Sequence, residues 1–213
     1  MIPLKDNIPS RRFPLVTVTL IIINTLAWLF EWSLGPAMEN LIFTFGVTPA
    51  ELFNYGLDGQ LLLMTTAMFL HGGWLHFLSN MLYLWIFGDN VEDRMGKFRF
   101  LLFYLLTGYI ATLTHVFSDP TSTSPLIGAS GAIAGVLGGY FVLFPHARVL
   151  TLIPIFIFIQ VIHIPALYFL GFWFLLQILN QTFQGAQSVA FLAHIGGFVA
   201  GALMVKLFQK YRD

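Results

Sequence analysis

The sequence predicts an all-α polytopic membrane protein, a bundle of six transmembrane helices with both ends of the chain on the cytoplasmic side. Three observations carry that expectation. Of 213 residues, 57% are hydrophobic and only 9% are charged, whereas an ordinary soluble domain has about 25% charged residues and needs them as a polar coat. Apolar stretches close to the roughly 20 residues that cross a bilayer recur six times along the chain. The ten Lys and Arg residues all fall on one side of the membrane when those stretches are threaded alternately through it. The same composition excludes a disordered chain, a coiled coil and a basic nucleic-acid binder. There is no Cys, which removes disulfides, thiolate metal sites and a thiol nucleophile.

The expected spans are 15–34, 74–91, 98–117, 128–144, 165–179 and 189–208, within one membrane domain covering 1–213. Residues 2–12 contain Lys5, Arg11 and Arg12, so they are not a clean apolar leader. The first span is too long for a signal-peptide core and reads as a retained helix. Arg94, Lys97 and Arg99 follow the second span, Arg148 follows the fourth, and Lys206, Lys210 and Arg212 end the sixth. With the N-terminus inside, every basic residue is cytoplasmic, and an odd number of spans breaks the pattern. Residues 35–70 form a long external segment. Glu39, Glu51 and Asp58 lie there among Phe43, Phe45, Phe53, Tyr55 and Leu57, a composition suited to short helices half sunk in the outer interface. The β-branched and aromatic run 149–161, broken by Pro154, could extend the fifth helix or form a membrane-surface hairpin; an extended or re-entrant inner connection is the favoured reading.

Polar groups inside such spans mark a functional site by default. His76 and Asn80 lie four apart on one face of span two. Ser130 opens span four and His194 sits near the start of span six. Spans two, four and six all run from outside to inside, so the three segments carry their polar groups at one depth. Ser130 lies in Gly128-Ala129-Ser130-Gly131, in a first turn whose backbone N–H groups have no helical partner and whose dipole favours negative charge. That is the chemistry of an oxyanion hole. Small residues follow on both helices: Gly131 and Gly135 after Ser130, Gly197 and Gly201 after His194. They permit close backbone approach and draw His194 toward Ser130. A Ser, a His, backbone donors and an Asn are the parts of acyl transfer. His194 is then general base and acid. No Asp or Glu lies in span six, so the pair is a dyad whose His is oriented by packing or backbone. Taken singly, each of these residues also fits helix packing.

Other chemistries fit poorly. There is no His-Glu-x-x-His metal motif and no phosphate-binding glycine loop. No second intramembrane carboxylate pairs with Asp89. No cofactor and no metal are expected.

At these residues the chain resembles the rhomboid intramembrane serine proteases, in their compact bacterial or archaeal six-helix form. The resemblance runs through all six spans. It rests on Gly128-Ala129-Ser130-Gly131, on Ala193-His194-Ile195-Gly196-Gly197 with Gly201, on His76-Phe77-Leu78-Ser79-Asn80, and on Phe69-Leu70-His71-Gly72-Gly73-Trp74-Leu75-His76. It implies Ser130 as nucleophile and His194 as base. It implies that the Ser130 N–H, Asn80 and His76 line the oxyanion hole. It also implies transmembrane protein substrates that enter laterally from lipid, and cleavage near the outer face of a prokaryotic inner membrane. Membrane lipids are the other expected partner; nucleic acid is not one, and nothing in the sequence sets an oligomeric state.

Two departures stand out. Leu62 and Leu63 occupy the positions where many rhomboids carry Trp-Arg, so the external segment must be held by other contacts. Ala134 replaces an aromatic that in some members stacks on the catalytic His. Span five, with Phe169, Phe172, Trp173 and Phe174, and the loop 181–188 are expected to form the lateral opening. The competing readings are a catalytically silent binder or chaperone of membrane helices, and a transporter using His76 and His194.

Overall fold

The computed structural model describes residues 1–155, 158–184 and 190–210. Strand β1 (Ile2–Asp6) precedes helix α1 (Leu15–Ser33). Three short helices follow: α2 (Met38–Phe45), α3 (Pro49–Leu52) and α4 (Leu57–Ala67). The long helices α5 (Trp74–Met95) and α6 (Lys97–Ser118) then lead to the short α7 (Ser130–Leu143). A hairpin of β2 (Arg148–Ile155) and β3 (Phe158–Pro165) runs into α8 (Ala166–Gln184), and α9 (Phe191–Phe208) closes the bundle. The protein is a mostly α-helical, multi-pass membrane bundle. Among the described residues four helices are long and apolar enough to cross a bilayer: Leu15–Ser33, Lys97–Ser118, Ala166–Phe183 and Phe191–Phe208.

The other two long segments differ for physical reasons. Helix α5 ends in Asp89, Glu92, Asp93 and Arg94, four residues beyond the expected boundary. Gly96, at φ +79°, then turns the chain into α6; a positive φ of that kind is open to glycine at little cost. Helix α7 has only 14 residues, and Ala132 to Tyr140 are all buried. At 1.5 Å per residue it is roughly 21 Å long, a central rod that neighbouring helices hide from lipid.

The expectation of an all-α chain needs correction. Strands β1, β2 and β3 form one antiparallel sheet in that order. Val149, Thr151 and Ile153 are β-branched, a side-chain type that packs well on a pleated surface. Pro165 closes β3 and helix α8 starts after it. The pairing of β1 with β2 slips between Pro3 and Lys5, where proline has no N–H to give to a ladder.

Buried polar contacts fix α1 against the bundle. Glu92 of α5 accepts hydrogen bonds from the backbone N–H groups of Val16 (3.0 Å) and Thr17 (2.8 Å) and from the Thr17 hydroxyl (2.9 Å). It thereby satisfies donors that the first turn of α1 leaves free. Near the other end of α1, buried Glu31 accepts from the backbone N–H of His71 at 2.8 Å.

The segment 35–70 is held without the Trp-Arg pair. Val47 and Leu126 exchange backbone hydrogen bonds of 3.0 and 2.8 Å, and Gly128 N–H donates to Ala67 O at 2.8 Å. The Thr66 hydroxyl donates to Phe45 O at 2.7 Å. Beneath these contacts Val47, Leu52, Met64, Ala67 and Val116 form a small core of their own.

Candidate active site

The site is built by the contact of α7 with α9. A Cβ on Gly197 would collide with the carbonyl oxygen of Gly131, and one on Gly201 with that of Gly135. Small residues four apart on each helix thus let the two backbones touch. Ser130 precedes Gly131, and His194 lies one turn before Gly197, so this register sets them opposite each other. Their side chains meet: His194 Nε2 lies 2.8 Å from Ser130 Oγ.

The third contact comes from α8, where the sequence analysis names aromatics but no polar site residue. Ala166, Phe169, Leu170 and Gln177 are buried, and Trp173 and Phe174 are partly so. These six positions follow helical spacing and form the inward stripe of α8. Gln177 Oε1 lies 2.9 Å from His194 Nδ1, and the Gln177 amide NH2 donates to Trp173 O at 3.1 Å. With its NH2 committed to a carbonyl, the amide presents oxygen to the ring. His194 Nδ1 therefore carries the proton and donates to Gln177. Nε2 is left as an acceptor for the Ser130 hydroxyl. The expectation that packing or backbone alone orients His194 is corrected by this hydrogen bond. Gln177 is neutral, so it sets the tautomer without supplying the negative charge of a carboxylate. Rings also flank the imidazole: Trp173 at 6.0 Å between centroids and Phe191 edge-on at 6.4 Å. Position 134, the expected place of a stacking aromatic, is Ala.

His76 approaches from α5. Gly128 has φ +114° and N–H anchored to Ala67 O. A Cβ there would lie 2.6 Å from His76 Nε2 and 3.6 Å from Ser130 Oγ. Both the backbone angle and this space restrict the position to glycine. The space beside Gly128 Cα, too tight for a methyl group, is bordered by the two functional groups. The Gly72 N–H donates to His76 Nδ1 at 3.4 Å, which leaves the proton on Nε2, facing that space. Asn80 follows one turn on. It is buried, and its Nδ2 has no hydrogen-bond partner among the described residues, a donor held without an acceptor. A small cavity lies behind the serine, lined in part by Gly128, Ser130, Gly131 and Thr112. His71, ahead of α5, packs edge-on against His76 at 5.2 Å. Burial first, and His76 second, push its pKa down to about 3, so it stays neutral at physiological pH.

Among the described residues no cluster of three or more His, Cys, Asp or Glu is placed to hold a metal ion. The parts present are a hydroxyl, an imidazole in the accepting tautomer, an amide that orients it, a second imidazole across Gly128, and a buried amide donor on Asn80 without a partner among the described residues. That set can carry out acyl transfer.

The comparisons with known proteins agree in class. The Rhomboid domain family model matches residues 58–211. The chain belongs to the rhomboid protease family. It is 34% identical over 131 residues to YdcA of Bacillus subtilis, covering 61% of this chain and 62% of that protein. It is 26% identical over 209 residues to the rhomboid protease AarA of Providencia stuartii, covering 89% and 70%. It is 32% identical over 189 residues to the rhomboid protease GluP of Bacillus subtilis, covering 88% and 34%. The chain thus spans about three fifths of YdcA and one third of GluP.

Proposed function

We propose that this protein is an intramembrane serine endopeptidase that cleaves membrane-anchored proteins near the outer face through a Ser130–His194 dyad. The observation that carries the proposal is the 2.8 Å contact of His194 Nε2 with Ser130 Oγ, in the tautomer that makes Nε2 the acceptor.

In the first half-reaction Ser130 Oγ attacks the scissile carbonyl carbon while its proton passes to His194 Nε2. The new negative charge on the carbonyl oxygen falls on the side of Ser130 that faces His76. There the Ser130 backbone N–H, His76 Nε2–H and Asn80 Nδ2–H are the donors, aimed where charge develops. His194 then gives its proton to the leaving amine, and the C–N bond breaks. In the second half, water attacks the ester carbon and loses a proton to Nε2. That proton returns to Ser130 Oγ as the acid product leaves.

The topology that suits this chemistry has six crossings in one membrane domain, α1 and α5 to α9, with the 35–70 segment outside. The one-sidedness of the basic residues supports it, with both ends of this chain cytoplasmic in a prokaryotic inner membrane. The substrates are transmembrane proteins arriving from lipid. Helix α8 is the proposed gate: it presents Tyr168, Phe172, Leu175 and Phe183 outward and Gln177 inward to His194. Residues 185–188 of the expected gate loop lie outside the described residues.

The test is covalent capture. Protein in liposomes is treated with a fluorophosphonate and digested for mass spectrometry. Adduct on Ser130, lost in His194→Ala, supports the reading. Labelling that is absent, or that is independent of His194, defeats it.

A further inference from the structure

The hairpin of β2 and β3 carries no charged residue after Arg148. Both faces of β3 are mostly apolar and largely exposed. Phe158 and Ile162 on one face are 68% and 43% exposed, and Ile159 and Val161 on the other are 68% and 49% exposed. Strand side chains alternate between faces, so a strand that seats one face on a core keeps its polar residues for the other. Here Gln160 and His163 are the only polar side chains of β3. No Asp, Glu, Lys or Arg occurs anywhere from 149 to 205. In water such a ribbon is an aggregation site.

We infer that this hairpin is a membrane anchor lying flat in the polar–apolar boundary of the leaflet opposite Ser130. The inference uses the membrane placement of the bundle and nothing of its proteolytic chemistry. Three features select lipid as the occupant. First, the ribbon is continuous with a surface that already faces lipid. Helix α8 starts directly after Pro165 and presents Leu167, Tyr168 and Phe172 outward. Second, the exposed charges at its base are basic: Arg148 begins β2 and Lys5 of β1 pairs with Leu150, while Asp6, paired with Val149, is half-buried and held by Tyr140 and Asn90. Basic groups at that level match anionic headgroups, and apolar side chains beyond them match the acyl boundary. Third, the backbone fixes the depth. β1 reaches β2 only between Val149 and Leu152, and β3 is an edge strand. The outward N–H and C=O groups of β3 therefore have no strand partner among the described residues. Hydrocarbon does not tolerate such edges, whereas the hydrated interface does. Each strand has eight residues and reaches roughly 26 Å. Laid flat, that length sinks side chains and keeps the edges wet; a re-entrant course leaves them unsatisfied.

The anchor sits at the root of α8. The Ala166 N–H donates to Ala147 O at 2.7 Å and the Leu167 N–H to Pro145 O at 3.1 Å. The hairpin thus holds to the membrane the same end of α8 that is pinned to the end of α7.

Because the chain has no Cys, one can be placed at will. Full-length Ile159→Cys carries an environment-sensitive nitrobenzoxadiazole label, and Thr121→Cys in the exposed 119–125 turn is the aqueous control. Both are reconstituted at high lipid excess in vesicles of phosphatidylcholine and phosphatidylglycerol, three to one, with iodide on both sides. The label at 159 is expected to resist iodide several-fold better than the label at 121. A nitroxide high on the acyl chain should quench it about twofold more than one near the chain end, as for insertion at the headgroup boundary. Equal iodide access at the two sites overturns the proposal, because the ribbon is then in water. Strongest quenching by the deep nitroxide overturns it in favour of a re-entrant loop. Efficient disulfide cross-linking between two copies of unlabelled Ile159→Cys at that dilution, without nitroxide quenching of the labelled protein, overturns it in favour of a second copy on the edge strand. None of these readouts depends on Ser130, so failure here leaves the protease reading standing.

Discussion

The α7–α9 contact can be opened by one methyl group. Gly197→Ala places a Cβ against the carbonyl oxygen of Gly131, 3.1 Å from its carbonyl carbon and 3.3 Å from Ala111 Cβ. The oxygen is backbone and cannot swing aside. Relief requires the helices to separate by roughly 1 Å to restore van der Waals contact. Overpacking of this kind costs about 1–3 kcal/mol of stability. The larger effect is on rate, since the collision falls one turn from His194 and one residue from Ser130. A shift of about 1 Å at reacting groups costs on the order of 10²-fold. The matched control is Gly171→Ala on α8, where the nearest atom to a new Cβ is Phe141 Cε2 at 4.0 Å. There alanine makes only an ordinary contact and gains roughly 1 kcal/mol of helix propensity. Cleavage of a tagged single-span substrate in liposomes, with thermal midpoints in detergent, reads both. Gly197→Ala is expected to lose about 10²-fold in kcat and to melt earlier, while Gly171→Ala keeps the rate and melts no earlier. A Gly197→Ala protein with the parent rate and midpoint refutes the close-contact argument.

Gln177→Leu removes the acceptor for His194 Nδ1; kcat is expected to fall roughly 10- to 100-fold, less than the ~10⁴-fold for an orienting carboxylate. Gln177→Glu, which keeps an oxygen there, should retain more activity than Gln177→Leu, and equal losses would count against the tautomer argument. Asn80→Ala should cost less than the ~10²–10³-fold typical of a single oxyanion donor, because His76 and the Ser130 N–H remain; a wild-type rate removes Asn80 from the hole. At the other end of the bundle Asp6 accepts from Tyr140 and from Asn90. Burial most of all, and the Asp89 carboxylate as well, push its pKa up to about 6, against the Tyr140 hydroxyl, which lowers it. The fold thus favours protonated Asp6, so its stabilising effect is present below the usual carboxylate pKa of about 4 and is lost as pH rises through about 6. Thermal midpoints across that range should fall with pH more steeply in the parent than in Asp6→Asn, and parallel curves exclude the linkage.

The approach of Ser130 to His194 is legible in the sequence because two helices each carry glycines four apart beside one polar residue. That pattern is local, and helix periodicity converts it directly into a register. Gln177 does not stand out in the same way, although an amide among Phe169, Trp173, Phe174 and Leu179 is the available signal. Reading it requires knowing which face of α8 turns inward, and the helix is apolar all round. The sheet is hidden for a different reason. β1 is five residues long and pairs with a strand roughly 145 positions away, a contact no local pattern announces. The run at 149–161 shows its β-branched character but not its partner. The 14-residue length of α7 is masked because flanking Ile127, Gly128 and Phe144 are as compatible with a membrane helix as with its ends.

The central claim is that Ser130 and His194 act together on a peptide bond. Wild type, Ser130→Ala, His194→Ala and the double variant are compared in liposomes on one tagged transmembrane substrate. Alanine at 130 removes one oxygen and little volume, so the folded bundle should persist. Cleavage by either single variant should fall to background, and the double variant should be little worse than either, as for residues that act as a unit. Equal cleavage by wild type and Ser130→Ala contradicts the account.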